Sequence, residues 1–322
     1  MSDTTISDYI PVSVSTLQPS ESAGINLYRR EANEGKFTLY CADDHPLRRE
    51  DLDRLHQRGV HRLFIESGSR ESFQSYLRDL IDPQAHLEAV SLAAQVGALN
   101  DVVRDVLEIE FRRGGTEQTV SEAARLGAVT ADIVCNDQFA ASDLFRVLHH
   151  DYATFTHSAN VAFYAGMLAA ELGHDRHDVE LMTSAGLLHD LGKLAIDEKI
   201  LCKPGRLTDE EFDTIKMHPT VGFEQLNFRE DLTDGQLMMV YQHHERLDGK
   251  GYPVGVVDSE IHPWAKICSV VDVYEALTSY RPYRSPMPRK KVFEIMERDS
   301  GAAFDPEVLA CWLKITNTVW DR

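Results

Sequence analysis

Between Phe155 and Thr278 stand five histidines and two aspartates whose types and order could build a metal centre: His157, His189, Asp190, His218, His243, His244 and Asp272. Imidazole and carboxylate together suit intermediate first-row metals such as iron, manganese, cobalt, nickel or zinc, and no accompanying cysteine ligands point to a structural thiolate zinc site. Seven ligands exceed what one four-coordinate ion can use. Two metals about 3.5–4 Å apart, bridged by one carboxylate and one hydroxide, would use them and leave positions open for a substrate. Asp190 is the candidate bridge. Taken singly, His157 or His218 reads as an ordinary core or surface histidine, so the joint order carries the reading.

The neighbours of these residues could assist. Lys193, one helical turn or less beyond Asp190, could neutralise an anionic oxygen, although lysine is also favourable at a solvated helix end. His243 and His244 open the string His243-His244-Glu245-Arg246-Leu247-Asp248-Gly249-Lys250-Gly251-Tyr252-Pro253. Gly249 and Gly251 permit positive φ or a close backbone approach, and Pro253 fixes its own φ, so the loop can hold Tyr252 beside the site. The sequence leaves open whether Tyr252 meets a substrate or closes the edge of a helical bundle.

Helices must position most of these groups. After Tyr152 the apolar periodicity is helical almost throughout, broken at Lys203-Pro204-Gly205, His218-Pro219, 249–253 and 282–288. The fold class is mainly α: a C-terminal all-α bundle behind a small N-terminal α+β domain. In the latter, 37–41 and 60–65 read as strands and 49–58 as a helix. Leu87, Val90, Val96, Leu99, Val103 and Leu107 recur at helical intervals before Gly114-Gly115 stops them, which gives a long helix. It is either a core helix or a dimerising signalling helix. Further helices are expected over 120–134 and 140–150. The organisation is a regulatory or docking domain at 1–85, a connecting helix at 86–117 and a catalytic helical domain at 118–322.

With 322 residues, 43% of them hydrophobic, the chain can fill one large or two ordinary cores. Its formal net charge of -19 excludes broad binding to long nucleic acid or anionic membranes, which demands a cationic surface. A small anionic substrate stays compatible if cations are concentrated locally. Cys41, Cys135, Cys202, Cys268 and Cys311 are scattered, odd in number and free of CxxC spacing, as befits reduced thiols in the cytoplasm. The polar, acidic start Met1-Ser2-Asp3-Thr4-Thr5 is unlike a secretory signal, and no apolar run reaches the roughly 20 residues of a membrane span.

The order His157, His189-Asp190, His218, His243-His244, Asp272, together with HHERLDGKGYP, resembles the HD-GYP family, a branch of the HD superfamily of metal-dependent phosphohydrolases. The resemblance covers roughly 151–305 and includes Gly192-Lys193, 200–205, and Asp272-Val273-Tyr274-Glu275-Ala276-Leu277-Thr278 followed by Arg281-Pro282-Tyr283-Arg284. It implies hydrolysis of the bacterial second messenger cyclic di-GMP to linear pGpG and, in some members, GMP. By position, the seven His and Asp residues match metal ligands with Asp190 bridging, and Asp190 and Lys193 match catalytic positions. Lys193, Tyr252, Arg281 and Arg284 match the substrate side; an arginine can fork to phosphate or to a guanine edge. Iron is the first expectation for the metal and manganese the second. Some members hold a third metal with a glutamate where this chain has Ala153, so two are expected here. A metal pair also supplies what phosphodiester hydrolysis requires, a hydroxide usable near neutral pH and compensation for charge on the phosphoryl oxygens. Expected partners are cyclic di-GMP, signalling proteins and a second copy in a homodimer. The alternatives are a non-catalytic nucleotide receptor or adaptor, and a phosphohydrolase of another nucleotide.

Overall fold

The computed structural model describes residues 9–20, 24–31, 36–60, 62–81, 95, 97–98, 101–102, 116–136, 141, 145, 154–201, 203, 205–279 and 285–320. The chain divides into two compact units, Met1–Val102 and Val103–Arg322. The expected connecting helix falls mostly outside the described residues, as do most of 140–150, Ala153, Arg281 and Arg284.

In the first unit, β1 (Tyr9–Ser13), β2 (Leu27–Arg30), β3 (Phe37–Cys41) and β4 (Arg62–Glu66) form an antiparallel sheet in the order β1-β4-β2-β3. Its register runs from Tyr9 opposite Glu66 to Ser13 opposite Arg62, and Tyr28 lies opposite Phe64. Alternation along the strands sends Val12, Leu27, Leu63 and Ile65 into the core. Helices α1 (Arg49–Gln57) and α2 (Arg70–Ile81) contribute Leu52 and Leu55, and Phe73, Leu77 and Leu80, at helical spacing. The small α+β unit is therefore as expected. The sequence reading missed β1, β2 and α2, whose short apolar runs are interrupted by proline, arginine or serine.

The second unit is helical: α3 (Thr116–Val134), α4 (Thr154–Glu171), α5 (Arg176–Leu188), α6 (Asp209–Ile215), α7 (His218–Leu226), α8 (Asp234–Gln242), α9 (Pro263–Thr278), α10 (Arg289–Arg298) and α11 (Pro306–Trp320). Its centre is α5, against which α3, α4 and α8 pack; α9 lies against both α4 and α8. Side chains that start the helices are visible in the sequence. Asp175 accepts from the Asp178 amide at 2.9 Å to cap α5, and Thr233 with Gln236 forms a capping box on α8. Gln236 Nε2 also donates to Ser184 Oγ at 2.6 Å, which ties α8 to α5. The break expected at His218-Pro219 is present: α6 ends at Ile215, and Pro219 lies in the first turn of α7, where a missing N–H costs nothing.

A 3₁₀ turn over Leu191–Ala195 follows α5 and packs on α7. The approach is close because Gly192 faces Gly222. A Cβ at Gly192 would lie 2.0 Å from the His218 carbonyl oxygen and 2.6 Å from the Gly222 amide. Two glycines thus set the distance between the His189-Asp190 pair and His218. Gly192→Ala should therefore lower stability by about 1–3 kcal/mol or more through overpacking, read as an earlier midpoint in urea denaturation of the metal-free protein. An unchanged midpoint would contradict this packing.

Candidate metal centre

The helix ends converge. His157 lies near the start of α4, while His189 caps the C-terminus of α5 and is followed by Asp190. His218 opens α7, His243 caps α8 with His244 next, and Asp272 projects from α9. Ligand atoms of Asp190, His218, His243 and His244 lie within 4.8 Å of one another, as do those of His157, His189 and Asp272. Asp190 stands between the two groups. Its Oδ1 is 3.2 Å from His218 Nε2 and 3.9 Å from His243 Nε2, whereas its Oδ2 is 3.4 Å from both His157 Nε2 and His189 Nε2. His157 Nε2 is also 3.1 Å from Asp272 Oδ1.

Hydrogen bonds at the back of the rings decide which nitrogen faces inward. His189 Nδ1 donates to the Gly186 carbonyl at 2.7 Å, His218 Nδ1 to Ile215 at 2.8 Å, and His243 Nδ1 to Val240 at 2.8 Å. Each acceptor lies in the last turn of a helix, α5, α6 or α8, where carbonyls have no partner further along the helix. A carbonyl cannot donate, so these three Nδ1 atoms carry a proton, and Nε2 is the nitrogen that each ring turns inward. His218 Nε2 and His243 Nε2 consequently face each other at 3.2 Å, beside a carboxylate. The Nε2 of His189 and the Oδ1 of Asp190 are buried without a hydrogen-bond donor. Lone pairs and carboxylates converging in a buried space are the complement of a cation, and imidazole with carboxylate fits divalent first-row metals.

Electrostatics agree with that assignment. Burial, reinforced by the neighbouring rings, holds His243 well below the ordinary imidazole pKa; burial lowers His189 and pushes His244 to about 3. Asp190 stays ionised: burial opposes its charge, but His189, Lys193, His157 and His218 outweigh it. Asp272 is held well below the usual carboxylate range, with His157 overcoming the effect of burial. His157 runs the other way. Burial alone would depress it, yet Glu275, Asp190 and Asp272 raise it well above the ordinary value.

Lys193 is held back against Asp190, its Nζ 2.5 Å from Oδ2, and about a fifth of its side chain is exposed. Tyr252 is placed at the histidines rather than at a distant bundle edge: its ring stacks on His244 at 4.6 Å and 28° and approaches His218 edge-on at 6.4 Å. The loop that carries it is pinned by a residue to which the sequence reading gave no role. Buried Glu245 accepts from the amides of Val254 at 2.7 Å and Gly255 at 3.0 Å. Gly251 packs so tightly that a Cβ would fall 2.5 Å from Glu245 Cα and the Arg246 amide, while Gly249 takes φ 72°. Glu275 was also missed. It receives the Nδ1 proton of His157, and the signal available for it was its place one turn after Asp272 on the same helix.

Because His157 holds a proton on the nitrogen that faces Asp272 and Asp190, a metal must displace it, whereas the two aspartates are already ionised. Titrating metal-free protein with Mn²⁺ near pH 7 should release about one proton per chain, and affinity should rise with pH until the raised pKa is passed. Calorimetry in buffers of different ionisation enthalpy checks this; affinity and heat independent of buffer and of pH between about 6 and 8 would contradict it.

Against this geometry, the HD domain family model matches residues 135–308, more than half of the chain. Over 175 residues the chain is 38% identical to the cyclic di-GMP phosphodiesterase of Thermotoga maritima, covering 54% of this chain and 47% of that protein. Over 169 residues it is also 38% identical to the 3'3'-cGAMP-specific phosphodiesterase 3 of Vibrio cholerae, covering 52% and 36% respectively. It thus spans half or less of the length of these curated relatives. Among solved structures, Bd1817, a HDG"Y"P protein from Bdellovibrio bacteriovorus, shares the fold over 96% of this chain and all of its own, with a TM-score of 0.67 and 18% identity. The chain therefore belongs to the HD domain family, and the HD pair, the HHE string and the GYP loop by which its sequence resembles the HD-GYP branch stand around one buried centre.

Proposed function

We propose that this chain is a metal-dependent cyclic-dinucleotide phosphodiesterase that hydrolyses cyclic di-GMP to linear pGpG, and further to GMP if the linear product is retained. The observation that carries the reading is the division of Asp190 between two groups of buried ligand atoms, which supports a dinuclear centre. His157, His189 and Asp272 would hold one ion, His218, His243 and His244 the other, and Asp190 both. Iron or manganese fits this nitrogen and oxygen donor set. Such ions, when bound, supply Lewis acidity for the phosphoryl oxygens and for an attacking water.

The chain's own residues do the rest. The backbone carbonyls behind His189, His218 and His243 keep the lone pairs aimed at the centre, so the ligands need no reorganisation when a substrate arrives. Lys193 is a cation one turn from Asp190; moved from that carboxylate to a phosphate oxygen, it would offset the charge that develops there. Tyr252, stacked on His244, offers a hydroxyl to a phosphate or a ring face to a base. Arg281 and Arg284, outside the described residues, are assigned to the phosphates and the guanine edge by their types and position. Among the described residues no helix is long and apolar enough to cross a membrane. We assign the protein to the cytoplasm, with the unit before the helical domain in a regulatory or docking role, boundaries at 85 and 117, and signalling proteins or a second copy as its partners.

Equal identity to phosphodiesterases named for cyclic di-GMP and for 3'3'-cGAMP makes the second nucleotide the direct competitor. Protein loaded with Fe²⁺ or Mn²⁺ should convert cyclic di-GMP to pGpG on chromatography, with kcat/KM above that for 3'3'-cGAMP. Tight binding without turnover would favour a receptor, and faster cGAMP cleavage would reassign the substrate. Asp190→Ala should lower kcat/KM by about 10³-fold or more and reduce bound metal, whereas Lys193→Met should lower kcat by about 10²-fold with metal content unchanged. Full activity in Asp190→Ala would refute the bridge.

A further inference from the structure

His157 is held differently from His189, His218 and His243. His189, His218 and His243 spend their Nδ1 protons on neutral carbonyls at helix ends. His157 lies within α4 and reaches across to α9, where Glu275 Oε2 accepts its Nδ1 proton. Glu275 is 2% exposed, and its second oxygen accepts from Asn160 Nδ2 at 3.2 Å and Ser279 Oγ at 2.5 Å. The carboxylate is thus fixed by groups from both helices. Asp272 stands one turn earlier on α9, so a single helix supplies one direct ligand and the carboxylate behind another.

An anionic acceptor on Nδ1 increases electron density at Nε2 and fixes the ring's angle more strongly than a neutral carbonyl does. We propose that Glu275 is a positioning residue that makes the two halves of the centre unequal, tightening metal retention by the His157, His189 and Asp272 group relative to the group of His218, His243 and His244. Among the described residues no carboxylate accepts a proton from the Nδ1 of His189, His218 or His243. Loading is then stepwise, the Glu275-backed group filling first. This inference rests on the dinuclear reading above.

The test needs no turnover. Metal-free protein is titrated with Mn²⁺, following the free ion by electron paramagnetic resonance and the retained metal by mass spectrometry after dialysis against graded chelator. The wild type should show a tight and a weaker class. Glu275→Gln keeps an acceptor for the imidazole proton but removes the charge; it should weaken the tight class by about 10–100-fold and leave the other unchanged, with the circular dichroism of the metal-free fold intact. Ser279→Ala leaves the charge but loosens the carboxylate, and should produce a smaller loss in the same class; it stands as the test if the glutamine variant does not fold. Unchanged binding in a folded Glu275→Gln, or equal weakening of both classes, would overturn the asymmetry. If Glu275→Gln does not fold, unchanged binding in Ser279→Ala would do so. A wild type that binds no more than one Mn²⁺ per chain at saturating free ion, before any chelator is added, would overturn the dinuclear reading itself.

Discussion

The constraint on which the helical unit depends is a set of buried lone pairs that point at one another. Three imidazoles with committed Nδ1 protons, one carboxylate split between two groups and a second carboxylate beside His157 occupy a space with few protein donors. Burying such groups without compensation is expensive. The fold accepts that arrangement because it is completed from outside the chain, by cations. From within the chain, the ammonium of Lys193 against Asp190 provides part of the compensation.

Helix ends are the means by which the constraint is met. The last turn of a helix leaves carbonyls without intrahelical partners, and α5, α6 and α8 each present one to the ring of a histidine three residues further on. The same carbonyls lie at the negative end of the helix dipole, which favours positive charge nearby. Termination, tautomer selection and local potential therefore arise from one geometry. His157, inside a helix, has no such carbonyl available, and there a glutamate from α9 takes over.

The loop after His244 illustrates how a mobile kind of segment is made rigid. Glu245 receives two loop amides, and Gly251 permits an approach that any side chain would block. Tyr252 is thereby fixed against the rings of His244 and His218. A net charge of -19 does not by itself bar a site for an anion, because surface charges more than a Debye length away are largely screened.

What the sequence determined by itself was the set of candidate ligands, five histidines and two aspartates in their order, with the glycine loop and the helical class that follows from apolar period. These were legible because ligand identity and periodicity are local properties of the chain. It also placed α1, β3 and most of α3 and β4, whose patterns are strong. It did not disclose β1, β2 or α2, which owe their form to pairing and to packing on a common core. Nor did it disclose Glu275 or Glu245, since a glutamate in a helix or turn reads as a solvated surface residue until the fold buries it against His157 or the loop amides. Asp190 was already the candidate bridge by sequence, but the distances that divide it between two ligand groups, the inward Nε2 atoms and the seat of Tyr252 were decided by tertiary structure. Each depends on distances between helix ends far apart in the chain, and those are set by contacts such as Gly192 on Gly222 that no single segment contains.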